Sequence, residues 1–146
     1  REVSTAVRSF DSTLEVLLDE RVYSKDDTYN TLDLLEYDCY TNNFVLYKNG
    51  SGNSYIQKKD VVTNLVSQNL PLGIVDEISI NEINLGNNVD RIILTSDGIK
   101  SNAMDVISAN KHEEIKNIVN KILEPNEDIE DDQTIIAINV IKKEIV

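Results

Sequence analysis

The sequence predicts an α+β fold, layered as a sandwich of mainly antiparallel sheets. Three observations carry this. Short β-prone segments occur in runs bracketed by helical patterns, instead of alternating with helices as in a parallel βαβ fold. Two segments, Arg91–Thr95 and Thr134–Ile141, are almost continuously apolar, as strands covered on both faces are. Helices packed on one face of such a sheet leave the other face to be covered by a second sheet. With 146 residues, one domain is the default, and a chain of this length needs neither disulfide nor metal to acquire a core.

In chain order, Val3, Ala6, Val7, Phe10, Leu14, Leu17 and Leu18 recur at spacings of three and four, the stripe of an amphipathic helix over about residues 2 to 21. The polar run Tyr23–Asp27 ends it. Thr28–Asp38, Asn43–Lys48 and Ser54–Lys58 are rich in Tyr, Thr, Val, Leu and Ile and read as strands. The connections Cys39–Asn43 and Asn49–Asn53 consist of residues that tolerate turns, so these three strands are expected to form consecutive hairpins, a meander. Val61–Ser67 is a further apolar stretch, and Leu70–Gly73 is a Pro- and Gly-containing turn. Ile78–Leu85 alternates apolar with polar until Gly86–Asn88 ends it. Arg91–Thr95 stops abruptly at Ser96-Asp97-Gly98. One or two helices follow, clearest over His112–Leu123, where Ile115, Ile118, Val119, Ile122 and Leu123 share a face and Pro125 terminates the run. An acidic loop, Glu127–Asp132, leads into Thr134–Ile141. Both continuously apolar strands are expected at central positions.

Fourteen basic and 26 acidic side chains give a formal net charge of −12. That balance disfavours nucleic acid and anionic lipid as partners, since both require a basic footprint, and favours cations and basic surfaces. The lone cysteine, Cys39, excludes an internal disulfide and fits a reducing compartment. No apolar run reaches the roughly 20 residues that span a bilayer, and the first residues lack a signal-peptide pattern. A cytoplasmic segment without membrane contact is expected. The chain opens at Arg1, and its one methionine is Met104, so it is read as a piece of a longer protein.

Two places put an acid where a buried strand meets a loop. Asp97 follows Arg91–Thr95, and Asp131 and Asp132 precede Thr134–Ile141. If these strands neighbour each other antiparallel, the end of one lies beside the start of the other, and the carboxylates converge on a hard divalent cation. Two such ions activate a water and clamp a phosphoryl group, which requires at least two carboxylates. Cys39 lies in a turn without a phosphate-cradling loop, and His112 falls on a polar helix position, so neither is assigned chemistry.

The strings Tyr29-Asn30-Thr31-Leu32-Asp33-Leu34, Tyr47-Lys48-Asn49-Gly50-Ser51-Gly52-Asn53-Ser54-Tyr55-Ile56, Leu70-Pro71-Leu72-Gly73-Ile74, Leu94-Thr95-Ser96-Asp97-Gly98 and Asp131-Asp132-Gln133-Thr134 occur in that order. Together they resemble the PPM-type metal-dependent protein serine/threonine phosphatases, within them the bacterial stage II sporulation protein E branch. The resemblance implies an α-β-β-α sandwich. It makes Asp97 and Asp131 the metal-ligating and catalytic residues, with two Mn²⁺ or Mg²⁺ ions in the complete domain and a metal-bridging water as attacking group. It implies phosphoserine or phosphothreonine on a regulatory protein, such as an anti-anti-sigma factor, as substrate. Gly98 is expected to turn the backbone away from the site, and the Lys48–Ile56 and Leu70–Ile74 strings are read as structural.

The sequence departs from the family at one place. Gly50 is its first glycine, so the family's N-terminal Asp-Gly ligand and first helix are missing, and residues 1–146 are read as the C-terminal part of the domain. Helix 2–21 then resembles the second long helix of the family. The isolated chain is expected to be inactive even where its parent is a phosphatase. The alternative reading is a catalytically inactive interaction or regulatory module on the same fold.

Overall fold

A computed structural model describes residues 31–71, 80–99, 102–124 and 131–142. The expected helix 2–21, the first residues of the first strand, the Leu72-Gly73 half of the turn and most of the acidic loop lie outside the described residues. Strands run over Leu32–Asp38 (β1), Asn43–Asn49 (β2), Ser54–Lys58 (β3), Val61–Leu65 (β4), Asn81–Gly86 (β5), Arg91–Thr95 (β6) and Ile135–Asn139 (β7), with helices Ala103–Ala109 (α1) and Ile115–Ile122 (α2) between β6 and β7. They form two antiparallel sheets, ordered β1-β2-β5 and β4-β3-β6-β7.

The first hairpin follows from its turn. The Asp38 carboxylate accepts the Tyr40 N–H and the Thr41 hydroxyl, each at 2.8 Å, and Asn42 takes φ +56°, a conformation asparagine adopts more readily than most residues. This pairs Asp38 with Asn43 and sets every later pair back along β1, down to Asp33 opposite Lys48 and Leu32 opposite Asn49.

The expected meander ends there. β2 has β1 on one edge and β5 on the other, so no edge remains for β3, which crosses to the second sheet and pairs with β4 and β6. Turn-tolerant residues at Asn49–Asn53 permit a change of direction, but they do not specify whether the chain returns to its own sheet.

Two cores result, one on each face of the second sheet. Leu46 and Phe44 of β2, Leu85 of β5, Ile56 of β3 and Ile92 and Leu94 of β6 fill the space between the sheets. On the other face Tyr55 and Ile93 pack against Ala103, Ile107, Ile118 and Ile122 of the helices. Successive residues of β6 thus serve opposite layers, which is why Ile92, Ile93 and Leu94 are apolar in succession. In β7 the same holds for Ile135 and Ala137, toward the helices, and Ile138, toward the inter-sheet core, whereas Ile136 is exposed. Among the described residues, however, β7 is an edge strand and not a central one. Apolarity reports covered faces; it says nothing about hydrogen-bonded neighbours on both edges.

The helical segment is two helices, broken at Asn110–Glu114. Asn110 closes α1, its N–H donating to Val106 O and Ile107 O, and Glu114 enters α2 from an extended conformation. His112 therefore lies in the connecting turn, not on a helix. It is exposed beside Asp60 (3.3 Å) and remains without a chemical role.

Asp90 tethers the far end of the sandwich, accepting the Lys59 N–H and the Lys142 ammonium. The Lys59 amide holds its carboxyl below the ordinary 3.8; desolvation opposes this, and Lys142 adds to the lowering. A lowered folded-state value contributes stability that is present above 3.8 and is lost as pH falls through the lowered value. Asp90→Asn should therefore be less stable than the parent sequence near neutrality and indistinguishable from it in strong acid. Urea unfolding at the two pH values checks this.

Candidate active site at the β6–β7 junction

β6 and β7 pair antiparallel from Arg91↔Asn139 to Thr95↔Ile135, so the loop leaving β6 and the segment entering β7 share one end of the sheet. Three hydrogen bonds lock them together. The Ser96 N–H donates to Thr134 O (2.9 Å), the Thr134 N–H to Ser96 Oγ (2.9 Å) and the Gln133 side-chain amide to Gly98 O (3.0 Å). Ser96 Oγ in turn donates to Asp132 O (3.2 Å).

Gly98 sits in a turn closed by the Ile99 N–H on Ser96 O (3.2 Å), as expected, and its missing side chain also permits a close backbone approach. A Cβ at this position would stand 2.4 Å from Asp132 O and 3.2 Å from Asp131 O, well inside van der Waals contact, and Gly98 is not among the residues at positive φ. The Ser96–Gly98 and Asp131–Thr134 backbones are thus packed against each other, with Asp97 on one and Asp131 on the other. Asp131 Oδ1 accepts the N–H of Asp132 (2.8 Å).

Beside this junction lies a pocket of about 210 Å³ between the two sheets. Asp97 lines it together with the hydroxyl residues Thr31, Ser51, Thr95, Ser96 and Thr134, the apolar Leu94 and Ile136, and one carboxylate the sequence reading did not single out, Asp33. Ile136, on edge strand β7, is exposed on this side. The hydroxyls are largely committed within the protein: Ser51 Oγ donates to Asp33 (2.6 Å), Thr95 Oγ1 to Asn53 O (2.7 Å) and Ser96 Oγ to Asp132 O.

Asp33 is paired. Its Oδ1 accepts the ammonium of Lys48 at 2.7 Å. Lys48 is fully buried and spends its other two protons on Gly52 O (2.8 Å) and Ser54 Oγ (2.7 Å), so all three ammonium donors are satisfied. Burial pushes the Lys48 ammonium below its ordinary value, and the hydrogen bond and charge of Asp33 oppose that shift. The pair was findable in principle: counting back from the Asp38–Asn43 turn places Asp33 directly across from Lys48.

The donor set suits a hard cation in kind. Asp97 and Asp131 offer carboxylate oxygens at one end of one sheet, on backbones whose close approach a Cβ at position 98 would push apart. In number it is incomplete, since among the described residues no group of three or more His, Cys, Asp and Glu side chains is placed to hold a metal ion. No helix among them is long and apolar enough to cross a membrane.

The two antiparallel sheets with helices on an outer face have the fold of PP2C-type phosphatase domains. The phosphatase domain of the cell fate determinant SpoIIE from Bacillus subtilis (Mn presoaked) matches with a TM-score of 0.64 at 23% identity, covering 97% of this chain and 66% of that one. A structure of the PP2C phosphatase domain and a fragment of the regulatory domain of the same protein gives 0.56 at 21%, covering 91% and 49%. The model of the family "Stage II sporulation protein E (SpoIIE)" matches residues 2–141, and the chain belongs to that family. Stage II sporulation protein E of Priestia megaterium is 31% identical over 99 residues, which are 67% of this chain and 16% of that protein.

Proposed function

We propose that residues 1–146 are the C-terminal part of a PPM-type phosphatase domain, and that the parent protein hydrolyses phosphoserine or phosphothreonine on a regulatory phosphoprotein of the anti-anti-sigma factor kind. The observation that carries the reading is that Asp97 and Asp131 lie on two backbones packed against each other at the β6–β7 junction, with Asp97 lining a pocket whose Ser51, Thr95 and Ser96 hydroxyl protons are already used internally. Lys48 is taken up by Asp33, and among the described residues no cation pairs with Asp97. Such a pocket repels a phosphate dianion unless a cation joins the two.

Asp97 and Asp131 hold that cation, Mn²⁺ or Mg²⁺, and the complete domain takes two. Bound there, the metal supplies Lewis acidity toward the phosphoryl oxygens and a water acidic enough to serve as the nucleophile. The protein's share is geometric. The hydrogen bonds from Ser96 and Thr134 and the Gly98 contact fix the spacing of the two carboxylate-bearing backbones, and Leu94 and Ile136 give one wall of the pocket an apolar lining. Cys39 is exposed in its turn and is assigned no part; the direct attack by water, without a covalent enzyme intermediate, is what the family resemblance implies.

Two carboxylates are too few for a closed site, and the remaining ligand is assigned to parent sequence preceding this chain. The parent is expected to hydrolyse a phosphoserine peptide in a Mn²⁺-dependent manner, while residues 1–146 alone show no turnover above background. Steady-state phosphate release from the two proteins tests this. Metal-dependent turnover by the isolated chain would contradict the incomplete site, and a parent that is inactive and lacks an upstream Asp-Gly would favour the non-catalytic module.

A further inference from the structure

We infer that the buried Lys48–Asp33 ion pair is a positioning device for Asp97, acting through the strand crossover at residues 49–53; this rests on the assignment of Asp97 to the metal site. Lys48 lies on β2 in the first sheet, and two of its three acceptors, Gly52 O and Ser54 Oγ, belong to the crossover and to β3 in the second. The third, Asp33, is only 14% exposed and also accepts Ser51 Oγ. One ammonium therefore pins the start of β1, the crossover and the start of β3 at a single point between the sheets.

The crossover is in turn clasped to the end of β6. Asn53 O accepts both the Thr95 N–H (3.2 Å) and the Thr95 hydroxyl (2.7 Å). Gly52 lies so close that a Cβ there would be 2.4 Å from Thr95 O and 2.7 Å from the Ser96 carbonyl carbon. Thr95 is two residues from Asp97. The path from Lys48 through Gly52 and Asn53 to Thr95 and Asp97 contains no flexible side chain beyond Lys48 itself, whose conformation is fixed by burial and three hydrogen bonds.

A charge pair in this position has a bland role as well, since breaking it would destabilise any fold. The two roles separate when both partners are replaced together and, in a second variant, one acceptor is removed alone. Lys48→Met with Asp33→Leu removes one positive and one negative charge, but Asp33 also lines the pocket, so the change in metal binding that reports geometry alone is read from Ser54→Ala, which leaves every pocket carboxylate in place. Partners hydrogen-bonded directly to a metal ligand typically affect metal affinity by 10- to 100-fold, and the lower end of that range is expected of this pair, which acts one step further out through the backbone.

The experiment compares the full-length parent protein with this double variant and with Ser54→Ala, which removes one acceptor and no charge. Two quantities are read: Mn²⁺ affinity by calorimetry on protein verified as folded, and amide hydrogen exchange at Thr95 in metal-free protein. The double variant should bind Mn²⁺ about 10-fold more weakly and exchange the Thr95 amide faster, with Ile92 and Ile93 unchanged. Ser54→Ala should shift both in the same direction by a smaller factor, and it decides the matter if the double variant does not fold. Unchanged Mn²⁺ affinity and unchanged Thr95 protection in a folded variant would reduce the pair to a fold-stabilising element and overturn the inference. Asp97→Asn is the control: if it also leaves Mn²⁺ affinity intact, the metal-site assignment has failed, whereas Thr95 exchange still reports on the clamp.

Discussion

Asp97→Asn in the parent protein is expected to lower phosphopeptide turnover by at least ~100-fold, more than the loss usual for a residue that merely orients a ligand. Asparagine keeps the shape of the side chain, and no hydrogen bond from the Asp97 side chain to a described residue maintains the fold, so the unfolding midpoint should stay put. The charge is the only thing removed. Asp131→Asn should behave alike, with one difference: Asp131 Oδ1 accepts the Asp132 amide, a bond the asparagine carbonyl oxygen can retain. A hundredfold loss is about 2.7 kcal/mol of transition-state stabilisation, far above the few tenths typical of a surface substitution. Turnover measured with saturating and limiting Mn²⁺, alongside a thermal melt, separates loss of metal from loss of fold.

Gly98→Ala should have an effect of similar size by a different route. The added Cβ would meet Asp132 O at 2.4 Å and Asp132 C at 3.1 Å. These are backbone atoms, so no side chain can swing aside and the β6 and β7 loops must part. Overpacking of this kind costs about 1–3 kcal/mol of stability, and a displacement of about 1 Å at a reacting centre costs on the order of 100-fold in rate. Urea unfolding reads the first and steady-state kinetics the second. A Gly98→Ala protein with normal turnover would mean that the spacing of the Asp97 and Asp131 backbones is irrelevant to activity.

The strands were legible where pattern reports directly on environment. Ile92, Ile93 and Leu94 are apolar in succession because each faces a packed layer, and the turn residues after Asp38 mark the first hairpin. Sheet membership was not legible. The Asn49–Asn53 segment has the composition of a hairpin turn, yet β3 leaves the sheet because β5, which arrives some thirty residues later, occupies the second edge of β2. Only the completed pairing shows this. Asp97 and Asp131 were visible as acids at strand ends, and the antiparallel pairing of β6 with β7 that their proposed convergence requires is present. Asp33 and Lys48 were passed over because each sits in an otherwise ordinary strand sequence. Their significance comes from hairpin register and from a burial that a lysine alone on a surface strand does not announce. The net charge of −12 contributed least, since Asp90 and Asp38 are engaged in local tethers and only Asp97 and Asp131 are assigned chemistry.

The central claim is that these two aspartates share a metal ion. A crystal of the parent protein soaked in Mn²⁺, with the ion located by anomalous scattering, tests it most directly. The account predicts a manganese peak with a carboxylate oxygen of Asp97 and one of Asp131 both in its coordination shell, at ~2.0–2.6 Å. A peak bound by other side chains, or full Mn²⁺-dependent activity with no peak at this junction, would contradict it.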